Sequence, residues 1–165
     1  MDLIAAVYAD WGLGCNGTQP LVIPADRRHF REITGTSAII VGRKTLEDFP
    51  GGAPLKNRTN IVLTRQELEV PSAIVVHSLE EARSAAACYD RCFVVGGASI
   101  YNALLPDCDR VYLTKIDVHP ESDVFLPNLD ILPGWVCTDP GETLYHETIP
   151  YRFMVYERKK EKEGN

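Results

Sequence analysis

Two short apolar runs constrain this chain more than anything else in it. Ala38-Ile39-Ile40-Val41 closes on Gly42 and leads into Arg43-Lys44-Thr45, and Cys92-Phe93-Val94-Val95 closes on Gly96-Gly97 and leads into Ala98-Ser99-Ile100-Tyr101. An unbroken apolar run of strand length reads as a strand covered on both faces. Such a strand needs helices on either side. The rest of the chain repeats the theme. Strands are predicted over Leu3 to Ala9, Ser37 to Val41, Asn57 to Thr64, Ala73 to Val76, Cys92 to Val95 and Arg110 to Asp117. Helices are predicted over Ala25 to Thr34, from about Thr45, over Leu79 to Cys88 and after Gly97. Trp135 to Cys137 and Tyr151 to Tyr156 read as two final strands forming an antiparallel edge. The expected fold is α/β: a single central, mostly parallel β-sheet with an antiparallel C-terminal edge strand, flanked by helices.

At 165 residues the chain fits one domain, placed at 1–158, with a charged stretch from Glu157 that becomes a tail over 159–165 and is expected to fray. No apolar run nears the roughly 18 residues of a spanning helix. The N-terminus lacks the basic region of an export signal, so a cytoplasmic protein off the membrane is expected. A net charge of -6 argues against a nucleic-acid partner. Five cysteines with no Cys-x-x-Cys spacing suggest reduced thiols, and the four histidines show no metal-ligand spacing. Cys15 reads either as a reactive thiol or as a small, half-buried side chain.

Four stretches carry chemistry. Leu21-Val22-Ile23-Pro24-Ala25-Asp26 is an apolar run ending in a proline suited to a helix mouth. Asp26 then lies in the first turn, with Phe30 and Ile33 on one face of the helix. It reads either as a first-turn acid that helps cap the helix or as a ligand carboxylate walled by Leu21, Ile23 and Phe30. Gly42 to Thr45 and Thr64-Arg65 each place a hydroxyl and a base at a strand end, where open sheets bind ligands; the Gly42 to Thr45 stretch reads equally as solvated surface charge. Gly96-Gly97 reads either as backbone that a phosphate can approach closely or as a tight strand-to-helix turn without a ligand, and it lacks the spacing of a Rossmann fingerprint. Asp10 to Thr18 is Gly-rich and reads as a mobile loop, in which Trp11 is either exposed or an anchor. Val118 to Gly134 reads as a long loop.

Taken in order and spacing, Leu13-Gly14, Pro24-Ala25-Asp26, Gly42 to Thr45, Arg58 to Leu63, Val95 to Tyr101 and Tyr112-Leu113-Thr114 resemble dihydrofolate reductase, of the bacterial type. The resemblance implies NADPH-dependent reduction of 7,8-dihydrofolate to tetrahydrofolate, antifolates as ligands, no metal and a monomer. It implies that Asp26 bonds the pterin, supported by Thr114. It implies a substrate pocket of Ile4, Ala5, Leu21, Ile23, Arg27, Phe30, Phe49, Leu55, Arg58, Val95 and Tyr101. Within it, Ile4 and Val95 offer carbonyls, Phe30 packs on the rings and Arg58 pairs with the glutamate α-carboxylate. For the cofactor it implies that Ala6 holds the nicotinamide carboxamide through its backbone. Leu13, Gly14 and Gly17 belong to a lid over Asp10 to Pro20. Gly42, Lys44, Thr45, Leu63 and Val95, with Gly96, Gly97, Ala98, Ser99, Ile100 and Tyr101, line the pyrophosphate side. Arg43, Thr64 and Arg65 grip the 2′-phosphate.

Three positions depart from the family pattern. Leu21 stands where Trp is usual, removing an indole N–H. Gln19 stands in the lid where an apolar residue is common, which suggests closure through polar contacts. Arg27 replaces a residue that is often apolar. Two other readings stay open: a pyrimidine reductase of riboflavin synthesis on the same fold, and a nucleotide- or folate-binding module without activity.

Overall fold

The structure is a computed structural model that describes residues 1–17 and 19–160. In chain order its first elements are β1 (Asp2–Tyr8), β2 (Gly12–Gly14), α1 (Pro24–Thr34), β3 (Ala38–Gly42) and α2 (Arg43–Glu47). β4 (Thr59–Leu63), β5 (Ala73–Val76), α3 (Leu79–Ala86), β6 (Cys92–Gly96) and α4 (Ala98–Leu104) follow. The chain then contributes β7 (Arg110–Ile116), β8 (Val124–Phe125), β9 (Trp135–Asp139), β10 (Leu144–His146) and β11 (Ile149–Arg158).

Nine strands form one sheet in the order β10-β11-β7-β1-β6-β3-β4-β5, with β9 also paired to β11. From β7 to β5 every pairing is parallel, and β11 joins β7 antiparallel. The mixed sheet expected from the sequence is therefore present. The antiparallel edge is more elaborate than a hairpin. β10 pairs with the first residues of β11 and β9 with the last, on the same side of that strand. Gly141 lies where they hand over, and a Cβ there would collide with the Phe153 carbonyl.

β11 runs through Glu157 and Arg158, which the sequence assigned to the charged stretch. Both are bound: Arg110 donates to Glu157 at 2.6 Å, and Arg158 donates to the carbonyls of Leu105 and Cys108. The tail expected to fray falls mostly in 161–165, outside the described residues.

Alternation along β1 divides the core. Leu3, Ala5 and Val7 pack with Ala82 and Ala86 of α3 and Ile100 and Leu104 of α4. Ile4, Ala6 and Tyr8 face the other way, towards Phe30 and Ile33 of α1 and Ile23 at its mouth. Helices thus cover both faces, as the apolar runs require.

Candidate active site

The site begins where β1 and β6 part. They are in register only at Asp2↔Phe93 and Leu3↔Val94. β6 also bulges against β3, so that Ile40 faces Val94 and Val41 faces Gly96. The carbonyls of Ile4 and Val95 leave the ladder here. The Tyr101 hydroxyl lies 2.7 Å from one and 2.8 Å from the other and can donate to either. Burial and the Asp26 charge push the Tyr101 phenol well up, so it stays protonated. A crevice at the carboxyl ends of parallel strands is where open sheets take ligands.

Asp26 enters this crevice from the first turn of α1. Pro24 occupies the helix mouth as its fixed φ predicts. The carboxylate reaches across to the sheet, where Thr114 Oγ1 donates to Asp26 Oδ1 at 2.6 Å. The Asp26 side chain is therefore turned towards the sheet. Thr114 is 2% exposed and sits beside Ala6 in the parallel register of β7 and β1. Burial raises the Asp26 carboxyl above the ordinary carboxylate range; the Thr114 hydrogen bond and His29 oppose the rise. His29, one helical turn on, stacks on Phe153 at 4.0 Å, and Phe153 pairs with Thr114.

The walls are apolar. Phe30, Phe49 and Leu55 pack half-buried on the cluster that holds Ile4 and Val95. Leu21 packs with Tyr8 and Ile23 on the neighbouring cluster. Ala5 turns its methyl to the opposite face, so only its backbone borders the crevice. Arg58 stands at the far end of α1. Its Nε donates to Thr34 Oγ1 at 2.9 Å, and its two terminal nitrogens donate to Lys56 O and Arg31 O. Three of the five guanidinium donors are thereby used and two remain for a ligand. Arg27 is exposed.

On the other side of β6, three glycines bring backbone into close contact. A Cβ on Gly42 would lie 2.6 Å from Ile100 Cδ1, and one on Gly97 would lie 3.3 Å from Thr45 Oγ1. The Gly96–Gly97 peptide is cis. Ala98 is half-buried and Ser99 exposed on the first turn of α4. Lys44 and Arg65 are exposed, Leu63 is half-buried, and Thr64 is buried with its carbonyl 2.9 Å from His77 Nδ1. Arg43 is engaged by Glu47 at 2.9 Å and by Gln66.

A family model described as dihydrofolate reductase matches residues 1–158. The dihydrofolate reductase of Bacillus subtilis (strain 168) is 36% identical over 162 residues, covering 96% of this chain and 95% of the relative. That of Haemophilus influenzae is 37% identical over 129 residues, covering 78% and 79%. The structure of Enterococcus faecalis dihydrofolate reductase, complexed with NADP(H) and RAB-propyl, superposes with a TM-score of 0.85 at 31% identity, covering 96% of each chain.

The chain belongs to the dihydrofolate reductase family.

The Gly-rich stretch after β1 is more ordered than its composition suggests. In this dihydrofolate reductase family member β2 and β8, both read as loop, pair antiparallel through Gly12↔Phe125 and Gly14↔Val124. Trp11, at φ 68, is 4% exposed and proves to be an anchor. Tyr156 meets it edge-on at 5.9 Å and Lys115 Nζ lies 4.9 Å from its ring centre. Past β2, the Asn16 N–H donates to Asp123 Oδ2 at 3.0 Å, while Gly17 is exposed with φ 77. Burial and the carboxylates of Asp123 and Glu121 push the Cys15 thiol up, which disfavours a reactive thiolate.

Sequence reasoning passed over Asp123, which lies in a segment read only as loop. It gave the backbone of Leu13 no hydrogen-bonding role. The available signal was Gln19, whose polar side chain in the lid implied a polar contact, and the structure supplies one. Gln19 Nε2 donates to Leu13 O at 3.1 Å.

Proposed function

We propose that this chain reduces 7,8-dihydrofolate to 5,6,7,8-tetrahydrofolate with NADPH. The observation that carries the reading is the half-buried Asp26 carboxylate held by the buried Thr114 beside the apolar Ile23 and Phe30, in a chain that belongs to this family.

NADPH when bound supplies a hydride, which goes to C6 of the pterin while a proton adds at N5. Asp26 accepts from the pterin ring nitrogen and 2-amino group and orients the ring. Its negative charge in an apolar surround favours the protonated pterin, so the carboxylate provides the field and water can deliver the proton. Thr114 fixes the carboxylate rotamer and leaves Oδ2 towards the ligand. Phe30, Phe49, Leu55 and Ile23 exclude water from the ring system. The two remaining donors of Arg58 suit a planar α-carboxylate.

The glycine contacts fit a dinucleotide. With no Cβ at Gly96 and Gly97, a pyrophosphate can reach the backbone between Thr45 and α4. Thr64 and Arg65 stand at the end of β4, where a 2′-phosphate would be held, with Arg43 adding charge if it leaves Glu47. The lid from Asp10 to Pro20 closes over the nicotinamide. A monomeric, cytoplasmic enzyme belongs to the same reading and rests on the family resemblance.

The test is the loss of NADPH absorbance on mixing with dihydrofolate, with NADH in parallel, for the wild type and Arg65→Ala. Rapid loss that favours NADPH, and a narrowed preference in the variant, is the expected result. Activity that falls by the same factor with NADPH and with NADH in the variant would remove the 2′-phosphate contact. No turnover despite NADPH binding would favour the riboflavin-pathway reductase or the inactive module.

A further inference from the structure

Two residues of α1 stand over two neighbouring residues of the sheet. Thr114 of β7 and Phe153 of β11 are opposed in the antiparallel register, so their side chains rise from the same face. Asp26 accepts the hydrogen bond of the first. The His29 ring lies flat on the second, with 4.0 Å between centroids and 15° between planes. Tyr151 backs Phe153 edge-on at 5.5 Å. Positions three apart on a helix share a face, so the imidazole is the neighbour of the Asp26 carboxylate along α1.

Few other charges face this ring. Towards α1, β7 and β11 present Tyr112, Thr114, Ile116, Tyr151 and Phe153, of which the two phenols titrate. Arg110 and Glu157, farther along the same face, pair with each other at 2.6 Å. Lys115 and Arg152 alternate to the opposite face, where Lys115 Nζ lies 4.9 Å from the Trp11 ring centre and Arg152 donates to Pro140 O. On α1 the charges that reach His29 are those of Asp26 and of the exposed Glu32.

Burial lowers the His29 imidazole from its ordinary value, while Asp26 and Glu32 raise it. Burial raises the Asp26 carboxyl, while Thr114 and His29 lower it. The two groups are driven towards each other in pH, which is the condition for a pair that titrates together. The Phe153 face suits both forms of the ring: the neutral imidazole stacks on it, and the imidazolium meets its negative π-face within cation–π range.

We propose that His29 is a positioning residue for the reduction: its ring, held flat on Phe153 beside Asp26, takes up a proton as the solution turns acid, and the resulting cation keeps Asp26 in its charged form. The proposal rests on the role given to Asp26 in the reaction. A cation at position 29 lowers the proton affinity of the crevice, both of the carboxylate in the free protein and of a heterocycle seated on it. Its loss should raise the proton-binding constant of Asp26 about 2-fold, the scale of one ion pair along a helix.

The test follows the Asp26 carboxyl and the His29 ring by carbon NMR through pH in the full-chain wild type, His29→Phe, His29→Lys and Asp26→Asn. Phenylalanine keeps the stack without a charge, and lysine keeps a charge without the stack. The Asp26 midpoint should be highest in His29→Phe and lowest in His29→Lys. Asp26→Asn should lower the His29 midpoint, because the coupling is reciprocal. Single-turnover hydride transfer should shift its pH profile in the same order. Equal Asp26 midpoints in wild type and both His29 variants overturn the proposal. So does a rate lowered by one factor at every pH, which would leave His29 a packing role. No turnover in any of the proteins would overturn the proposed reaction instead, while the two midpoints still decide whether the pair is coupled.

Discussion

Thr114 Oγ1 donates to Asp26 Oδ1 over 2.6 Å, joining β7 to the first turn of α1 across 88 residues of chain. The bond satisfies one oxygen of the carboxylate and opposes the rise in its pKa that burial causes. It leaves the second oxygen to meet a ligand, and it ties the charge to the rigid centre of the sheet.

Asp26 should lower the stability of the ligand-free protein at neutral pH. Its folded pKa is raised above the unfolded value, so the stability is fully present below the unfolded carboxylate range. It is lost as pH rises through the folded pKa. Asp26→Asn keeps an acceptor for Thr114 and carries no charge. The variant should melt higher than wild type near pH 7, with the gain shrinking towards pH 4. A gain that is constant with pH would show that Asp26 does not titrate differently on folding.

Thr114→Val retains the shape and removes the donor. The Thr114 bond holds the Asp26 carboxyl down against burial, so its pKa should rise further in the variant. The loss of a hydrogen bond to a charged group is worth about 1.5–3 kcal/mol. NMR titration of the Asp26 carboxyl reads the shift directly; an unmoved midpoint would mean that the bond is not present in solution.

Arg58→Gln should raise the KM for dihydrofolate about 10- to 100-fold, the scale of a charge-assisted pair, and leave kcat little changed. A folate analogue without the glutamate should show no such difference between the two proteins. If kcat falls instead, Arg58 acts on the reacting end through α1, whose last turn it grips at Arg31 O and Thr34.

Asp123→Ala removes the acceptor of the Asn16 N–H and frees the lid beyond β2. The Asn16 amide should exchange faster with solvent, and turnover should fall because the lid spends less time closed. Unchanged exchange at Asn16 would place the hold on the lid elsewhere, at Trp11 or Gln19.

The sheet was legible because buried strands announce themselves as apolar runs and the helices between them carry clear starts, such as Pro24 and Ser78. The β2–β8 ribbon was not. Its strands are only 3 and 2 residues long, one of them Gly-Leu-Gly, and such a pair is specified by its partner rather than by local preference. The same holds for Trp11, whose burial depends on Tyr156 and Lys115 far along the chain. In the site, local chemistry singled out Asp26 and the glycines without deciding whether they meet a ligand. The roles of Thr114, Arg58 and the Ile4 and Val95 carbonyls came from the family resemblance. Gln19 and Asp123 act through contacts with backbone, which no side-chain pattern encodes.

The most direct test of the account is single-turnover hydride transfer from NADPH to dihydrofolate in wild type and Asp26→Asn, followed from acid to neutral pH. The account predicts that the variant binds NADPH normally, loses most of its rate at neutral pH and loses least at acid pH, where solvent can protonate the pterin unaided. An unchanged rate at neutral pH would contradict the role given to Asp26.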